Sequence, residues 1–175
     1  GDIKPVSSVA QPVDNTAKQT ISEPVYSAAT GELVDLSQVA DTTFAQKMLG
    51  DGFAVEPSDG NIVAPVSGVV TAVFPTKHAV GITTPAGLEV LIHIGIDTVT
   101  LEGKPFVAQV AVGEHVKSGD LLVTADLEAI KAAGKPVTTM VIFTNMDQVA
   151  VLKDRTPLGQ IKTGDLVLTA DAITD

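Results

Sequence analysis

The chain of 175 residues contains no cysteine and no tryptophan. Without a thiol it has no disulfide, no thiolate metal site and no cysteine nucleophile. Other aromatic side chains are scarce, one Tyr and five Phe, so packing falls to Val, Ile, Thr and Ala, which favours strands over helices. Basic residues are the third shortage: 11 Lys and Arg stand against 21 Asp and Glu, a formal charge of -10. Such a surface repels phosphate backbones and argues against nucleic acid as a partner, whereas a basic protein would be attracted. No apolar run approaches the ~18 residues of a membrane span. The first residues also lack the apolar centre of a secretory signal. The chain reads as soluble and cytoplasmic, with no direct membrane insertion.

Apolar residues and turn formers are plentiful instead. Hydrophobic residues make up 45% and the mean hydropathy is +0.31, enough for the core of one domain. The 15 Gly and 10 Pro cut the sequence into short segments, the pattern of an all-β domain. Residues 1–22 (GDIKPVSSVAQPVDNTAKQTIS) carry neither strand nor helix period and predict a flexible linker or tail, leaving residues 23–175 as the folded domain. Within that domain the sequence echoes itself. Residues 25–34 (VYSAATGELV) resemble 63–71 (VAPVSGVVT), and 52–60 (GFAVEPSDG) resemble 79–87 (AVGITTPAG). The clearest pair is 116–126 (VKSGDLLVTAD) with 161–171 (IKTGDLVLTAD). Shared Gly-Asp turns between apolar runs predict two related β units about one core. Helix signals are confined to 41–49 and 126–134, each with an acidic cap and a glycine stop. The expected architecture is a β-sandwich or flattened barrel with one or two short helices.

Three histidines carry the candidate chemistry: His78, His93 and His115. His93 lies in the apolar run 88–97 (LEVLIHIGID). As a strand this run places Leu91, His93 and Gly95 on one face and Val90, Ile92 and Ile94 on the other. Gly95 then leaves bare backbone beside the ring, and Asp97 adds a carboxylate further along that face. Counted outward from Pro85 and Ala86, His78 and His93 each lie seven residues away. A hairpin with a two-residue loop would set them directly opposite each other. His115, in the polar turn 113–119 (GEHVKSG), reads as a solvated surface residue. Paired imidazoles can bind a metal, but a catalytic zinc wants three protein ligands. Alternatively one imidazole attacks phosphorus to form a phosphohistidine, while the second imidazole and Thr76 hold the phosphoryl oxygens. The carrier reading uses every residue of the constellation, and no metal ligand set is complete.

The run 91–101 (LIHIGIDTVTL), with 76–79 (TKHA), 50–54 (GDGFA) and 145–147 (NMD), resembles the glucose-type IIA family of the bacterial phosphoenolpyruvate-dependent sugar phosphotransferase system. The similarity extends over residues 24–168. It implies a β-sandwich of the duplicated hybrid-motif type. It implies that His93 is the phosphorylated residue through Nε2, with His78 as second active-site histidine and Thr76 as its hydrogen-bond partner. It implies HPr as phosphoryl donor and a cysteine on a IIB domain as acceptor, with no bound cofactor. Since this chain has no Cys, IIB must be a separate protein or another domain, and the carrier would approach the membrane only through a fused transporter. The docking ring implied by the family is Phe44, Met48, Phe74, Leu91 and Val99, edged by Asp41 and Asp97. Ile94 belongs to it by the resemblance but to the core by strand phase, and Thr42 and Thr43 stand where many members carry valine. Competing readings are a regulatory IIA-like domain of a sugar permease, a zinc peptidase and a biotinyl- or lipoyl-like carrier. The peptidase would need an HExxH or HxH element and the swinging-arm carrier a lysine at the hairpin tip. The sequence has neither.

Overall fold

The computed structural model describes residues 19–174. The linker expected over residues 1–18 lies outside the described residues, whereas residues 19–22, assigned to it as well, are strand. The fold is all-β, built from three open antiparallel sheets. One has the order β1-β14-β12, from β1 (Gln19–Tyr26), β14 (Leu166–Thr174) and β12 (Val149–Lys153). A second has the order β4-β10-β8, from β4 (Asn61–Val63), β10 (Leu121–Ala125) and β8 (Phe106–Ala108). The third holds eight strands: β13 (Gly159–Ile161), β2 (Gly31–Val34), β3 (Asp51–Pro57), β11 (Thr139–Phe143), β7 (Glu89–Ile94), β6 (Ala79–Thr83), β5 (Gly68–Val73) and β9 (His115–Val116). Two short helices complete it, α1 (Thr42–Ala45) and α2 (Leu127–Ala132), with three single turns of 3-10 helix among the described residues. Asp41 and Asp126 cap α1 and α2 by accepting from the backbone N–H of Phe44 and Ala129, as the acidic caps predicted.

The echo in the sequence is a duplication in space. Read from its ends inward, the eight-stranded order matches β13 with β9, β2 with β5, β3 with β6 and β11 with β7, and the two small sheets match strand for strand. The turns agree atom by atom. The carboxylates of Asp120 and Asp165 accept from the N–H of Lys117 at 2.8 Å and Lys162 at 2.9 Å. Gly119 and Gly164 both take positive φ, 96° and 86°. The carbonyls of Asp120 and Asp165 accept, each at 2.8 Å, from the N–H of Ala64 and of Ser27 respectively, residues that align when Gly31 is set on Gly68. One unit is continuous, residues 61–125. The other is assembled from 19–57 and 139–174 and closes around it.

The duplicate is imperfect around His93. The main core fills the space between the eight-stranded sheet and the two small ones, with Phe53, Val55, Val90, Ile92, Ile94, Val141 and Phe143 pointing into it. On the outer face of the large sheet sits a second cluster of Leu36, Val39, Phe44, Ala54, Ile96, Met140 and Ile142. That cover comes from residues 35–50, which join β2 to β3. Its counterpart joining β5 to β6 is only residues 74–78. The outer face is therefore sealed over one unit and open over the other, and His93 stands at the border. The echo equates Gly52 with Ala79. Gly52 pairs with Ile142 and Ala79 with His93, so the other unit carries Ile142, fully buried, where this one carries His93. Among the described residues His93 thus has no histidine counterpart in the other unit.

Candidate functional site

The alternation expected for β7 holds: Val90, Ile92 and Ile94 are buried, while Leu91 and His93 are half-buried on the opposite face. The phase thus assigns Ile94 to the core, where it is 0% exposed, and removes it from any docking ring. His93 is flanked by Ala79 and Met140 on the neighbouring strands, and a residue as small as Ala79 leaves room beside the ring.

His78 reaches His93 by a different route from the one expected. The loop joining β6 to β7 is residues 84–88, not a two-residue turn, because Thr84 closes it from within. Its N–H donates to the Leu88 carbonyl at 2.9 Å, and its Oγ1 accepts from the Leu88 N–H at 3.1 Å. This shifts the register by one, so that Ala79 lies opposite His93 and the His78 carbonyl accepts from the Ile94 N–H at 2.7 Å. A regular strand would then point His78 to the wrong face. The strand begins only at Ala79, however, and the preceding turn is closed by the Lys77 N–H donating to the Phe74 carbonyl at 2.7 Å, with Lys77 at φ 61°. The two imidazoles meet edge to face, centroids 4.9 Å apart at 84°. Phe44 packs against His93, centroids 4.9 Å apart, and Phe74 against His78 at 5.4 Å. The result is a chain of ring contacts, Phe44 to His93 to His78 to Phe74.

The outer nitrogens are fixed by hydrogen bonds. Nδ1 of His93 lies 2.9 Å from the Gly95 carbonyl oxygen. A carbonyl only accepts, so Nδ1 carries the proton and Nε2 of the neutral ring holds a lone pair. Nδ1 of His78 lies 2.7 Å from Thr76 Oγ1. A hydroxyl can also donate, which leaves the His78 Nε2 able to carry the proton. Burial pushes His93 down from 6.5 to about 4, with the His78 imidazole adding to the effect. The Gly95 hydrogen bond and the carboxylates of Asp41 and Asp97 oppose it. Burial lowers His78 as well. Both rings are therefore neutral at pH 7, and His93 presents an unprotonated nucleophilic nitrogen.

Two expectations are corrected here. Gly95 does not continue the face of β7 as bare backbone, because the strand ends at Ile94 and Gly95 takes φ 78°. A Cβ there would run into Cγ2 of Thr98, so the space is filled and what Gly95 contributes is its carbonyl. Asp97 likewise leaves the face, at φ 59° before the turn Thr98–Leu101, and reaches His93 only through its charge. Of the expected ring, Phe44 is 7% exposed and belongs to the cover, whereas Met48 at 68%, Val99 at 49% and Phe74 at 38% are open apolar surface. His115 is exposed, as expected. No group of three or more potential metal ligands occurs among the described residues, and no helix among them is long and apolar enough to cross a membrane. Sequence reasoning missed Thr98 and the Gly95 carbonyl, since a positive φ at the end of a strand leaves no mark in apolar periodicity.

Comparison with known proteins identifies a family. The family described as phosphoenolpyruvate-dependent sugar phosphotransferase system, EIIA 1 matches residues 23–149. The chain is 60% identical over 148 residues to the PTS system glucose-specific EIICBA component of Streptococcus pneumoniae serotype 4, covering 84% of this chain but 20% of that protein. It therefore spans about a fifth of that relative's length. It is 50% identical over 145 residues to the PTS system glucose-specific EIIA component of Halalkalibacterium halodurans, covering 81% of this chain and 84% of that one. Among solved structures, glucose permease IIA from Mycoplasma capricolum superimposes with a TM-score of 0.81 at 40% identity, covering 85% of this chain and 96% of the other.

Proposed function

The chain belongs to the EIIA 1 family of the phosphoenolpyruvate-dependent sugar phosphotransferase system, and from that premise we propose that it carries a phosphoryl group on Nε2 of His93. The observation that supports this most directly is the bond from Nδ1 of His93 to the Gly95 carbonyl, which leaves the lone pair on Nε2. In the first step this lone pair forms a bond to phosphorus. The N–P bond of a donor phosphohistidine, on HPr, breaks and its electron pair returns to the donor ring. The attacking nitrogen of a neutral imidazole bears no proton, so no general base is needed. His78 binds the phosphoryl oxygens through Nε2–H when Thr76 donates its hydroxyl proton to Nδ1, which selects that tautomer. In the second step a thiolate on a IIB domain attacks phosphorus, an S–P bond replaces the N–P bond, and His93 recovers its lone pair. The acceptor lies outside this sequence, which has no Cys.

Docking falls to the apolar surface around the histidines, Met48, Phe74, Leu91 and Val99, with Phe44 supporting it from below and Asp41 and Asp97 as an acidic edge. Such a patch suits a partner with apolar contacts and a basic rim. The residue assignment is tested by intact mass after incubation with phosphoenolpyruvate, enzyme I and HPr. The wild type should gain one acid-labile phosphoryl group. His93→Ala should lose that gain, and His78→Ala should keep it. A wild type that gains nothing would overturn the carrier reading.

A further inference from the structure

We infer that Thr98 is a positioning residue for His93, holding the Gly95 carbonyl in place so that the imidazole keeps its proton on Nδ1. The link to phosphoryl transfer rests on the proposed function above; the link to the ring itself does not.

Thr98 is a hydroxyl with 0% exposure, and a buried hydroxyl must find a partner. It donates to the carbonyl of Ile94 at 2.5 Å, at the point where β7 ends. Two peptide planes flank the Gly95 Cα, and all four of their polar groups are engaged. The Gly95 N–H donates to the Thr138 carbonyl at 2.9 Å and the Ile96 N–H to the Pro136 carbonyl at 3.1 Å. The Gly95 carbonyl accepts from His93 Nδ1, and the Ile94 carbonyl accepts from Thr98. Three of these bonds use the backbone or His93 itself. Thr98 supplies the one that another side chain makes.

Its second branch acts at the same place. The position a Cβ on Gly95 would take is already held by Cγ2 of Thr98. The hydroxyl thus fixes the carbonyl on one side of Gly95 while the methyl closes the space beside its Cα. Without the hydroxyl, the peptide between Ile94 and Gly95 is held only at its N–H, by the Thr138 carbonyl, and its tilt about that bond carries the Gly95 carbonyl with it. A neutral imidazole that loses its acceptor at Nδ1 no longer prefers the Nδ1–H tautomer. The other tautomer places the proton on Nε2, where it removes the attacking lone pair.

The test uses the full chain as Thr98→Val, Thr98→Ser and Thr98→Ala. The imidazole nitrogens of His93 are read in a long-range nitrogen–proton spectrum, and phosphoryl uptake from phospho-HPr is timed alongside. In the wild type the nitrogen shifts should report a single tautomer with the proton on Nδ1. Thr98→Val, which keeps the shape, should give mixed-tautomer shifts and uptake slowed roughly tenfold, the scale of a small misplacement of a reacting group. Thr98→Ser should restore both. Serine and alanine leave nearly the same gap and differ by the hydroxyl, so that pair decides the matter if the valine variant does not fold. Wild-type nitrogen shifts and uptake in both Val and Ala variants would overturn the inference and leave Thr98 a packing residue. If the wild type takes up no phosphoryl group, the proposed function falls, and the nitrogen spectra still decide the role of Thr98.

Discussion

The His93 ring stays neutral in the fold because desolvation penalises its charged form more than the nearby carboxylates favour it, and this couples the proposed nucleophile to stability. Its folded value is about 4, against 6.5 for an unperturbed imidazole. Between those values the unfolded chain binds a proton that the folded chain does not. Acid therefore favours unfolding, and stability falls as the pH drops from 6.5 towards 4. From pH 7 to pH 5 the loss from this ring should be about 1–2 kcal/mol, with His78 adding in the same direction. Asp35 and Asp171 are held below their usual 3.8 by hydrogen bonds, chiefly from Ser37 and Lys153 respectively, so these two carboxylates stay ionised throughout that window. Urea unfolding of the wild type and of His93→Gln at the two pH values should show a clearly smaller loss in the variant. Parallel losses would mean that the sensitivity arises elsewhere. At this scale the sequence already singled out His78 and His93, since only three histidines exist and the third lies in a polar stretch of sequence. The bond that orients His93 was hidden, because it depends on the φ of Gly95.

Elements were readable where local chemistry dictates them and misread where distant contacts do. The acidic caps of α1 and α2 and the alternation of β7 follow from residue type and period alone. The β6–β7 loop did not, because Pro85 and Ala86 look like a two-residue turn while Thr84 and Leu88 close a longer one around them. The Gly-Asp turns are the most legible elements, and they make a paired prediction. Gly119 and Gly164 have φ of 96° and 86°, and nothing lies within 4 Å of where their Cβ would be. Gly119→Ala and Gly164→Ala therefore clash with nothing and cost only the left-handed backbone, about 1–2 kcal/mol each. Thermal or urea unfolding should return similar values for the two. A large cost at one turn and none at the other would show that the two units have diverged in how their turns carry load.

At the scale of the whole molecule, the echo announced two units but not their interleaving. That depends on β3 pairing with β11 across the inserted residues 61–125. The same interleaving places the site, because β11 brings Met140 beside His93 and the cover over residues 35–50 brings Phe44 onto its ring. It also makes the outer unit expensive to close. Ser22 donates to Asp171 at 2.6 Å across 149 residues of sequence, and β1 pairs with β14 from Gln19 opposite Thr174 onward. A circular permutant should relieve this. Joining Asp175 to Gly1 and opening the chain between Ala133 and Gly134, both exposed, turns β14 and β1 into neighbours in sequence. Strands β11 to β14 and then β1 to β3 would follow one another in the chain, with β4 to β10 after them. Because closing long loops slows folding, the permutant should refold at least several-fold faster than the wild type. It should keep the proposed phosphoryl uptake on His93 unchanged, since the cut lies outside every strand of the candidate site. Stopped-flow refolding and intact mass measure the two. A permutant that folds no faster would place the slow step inside one unit, and one that folds but no longer accepts the phosphoryl group would show that the site needs the native chain order.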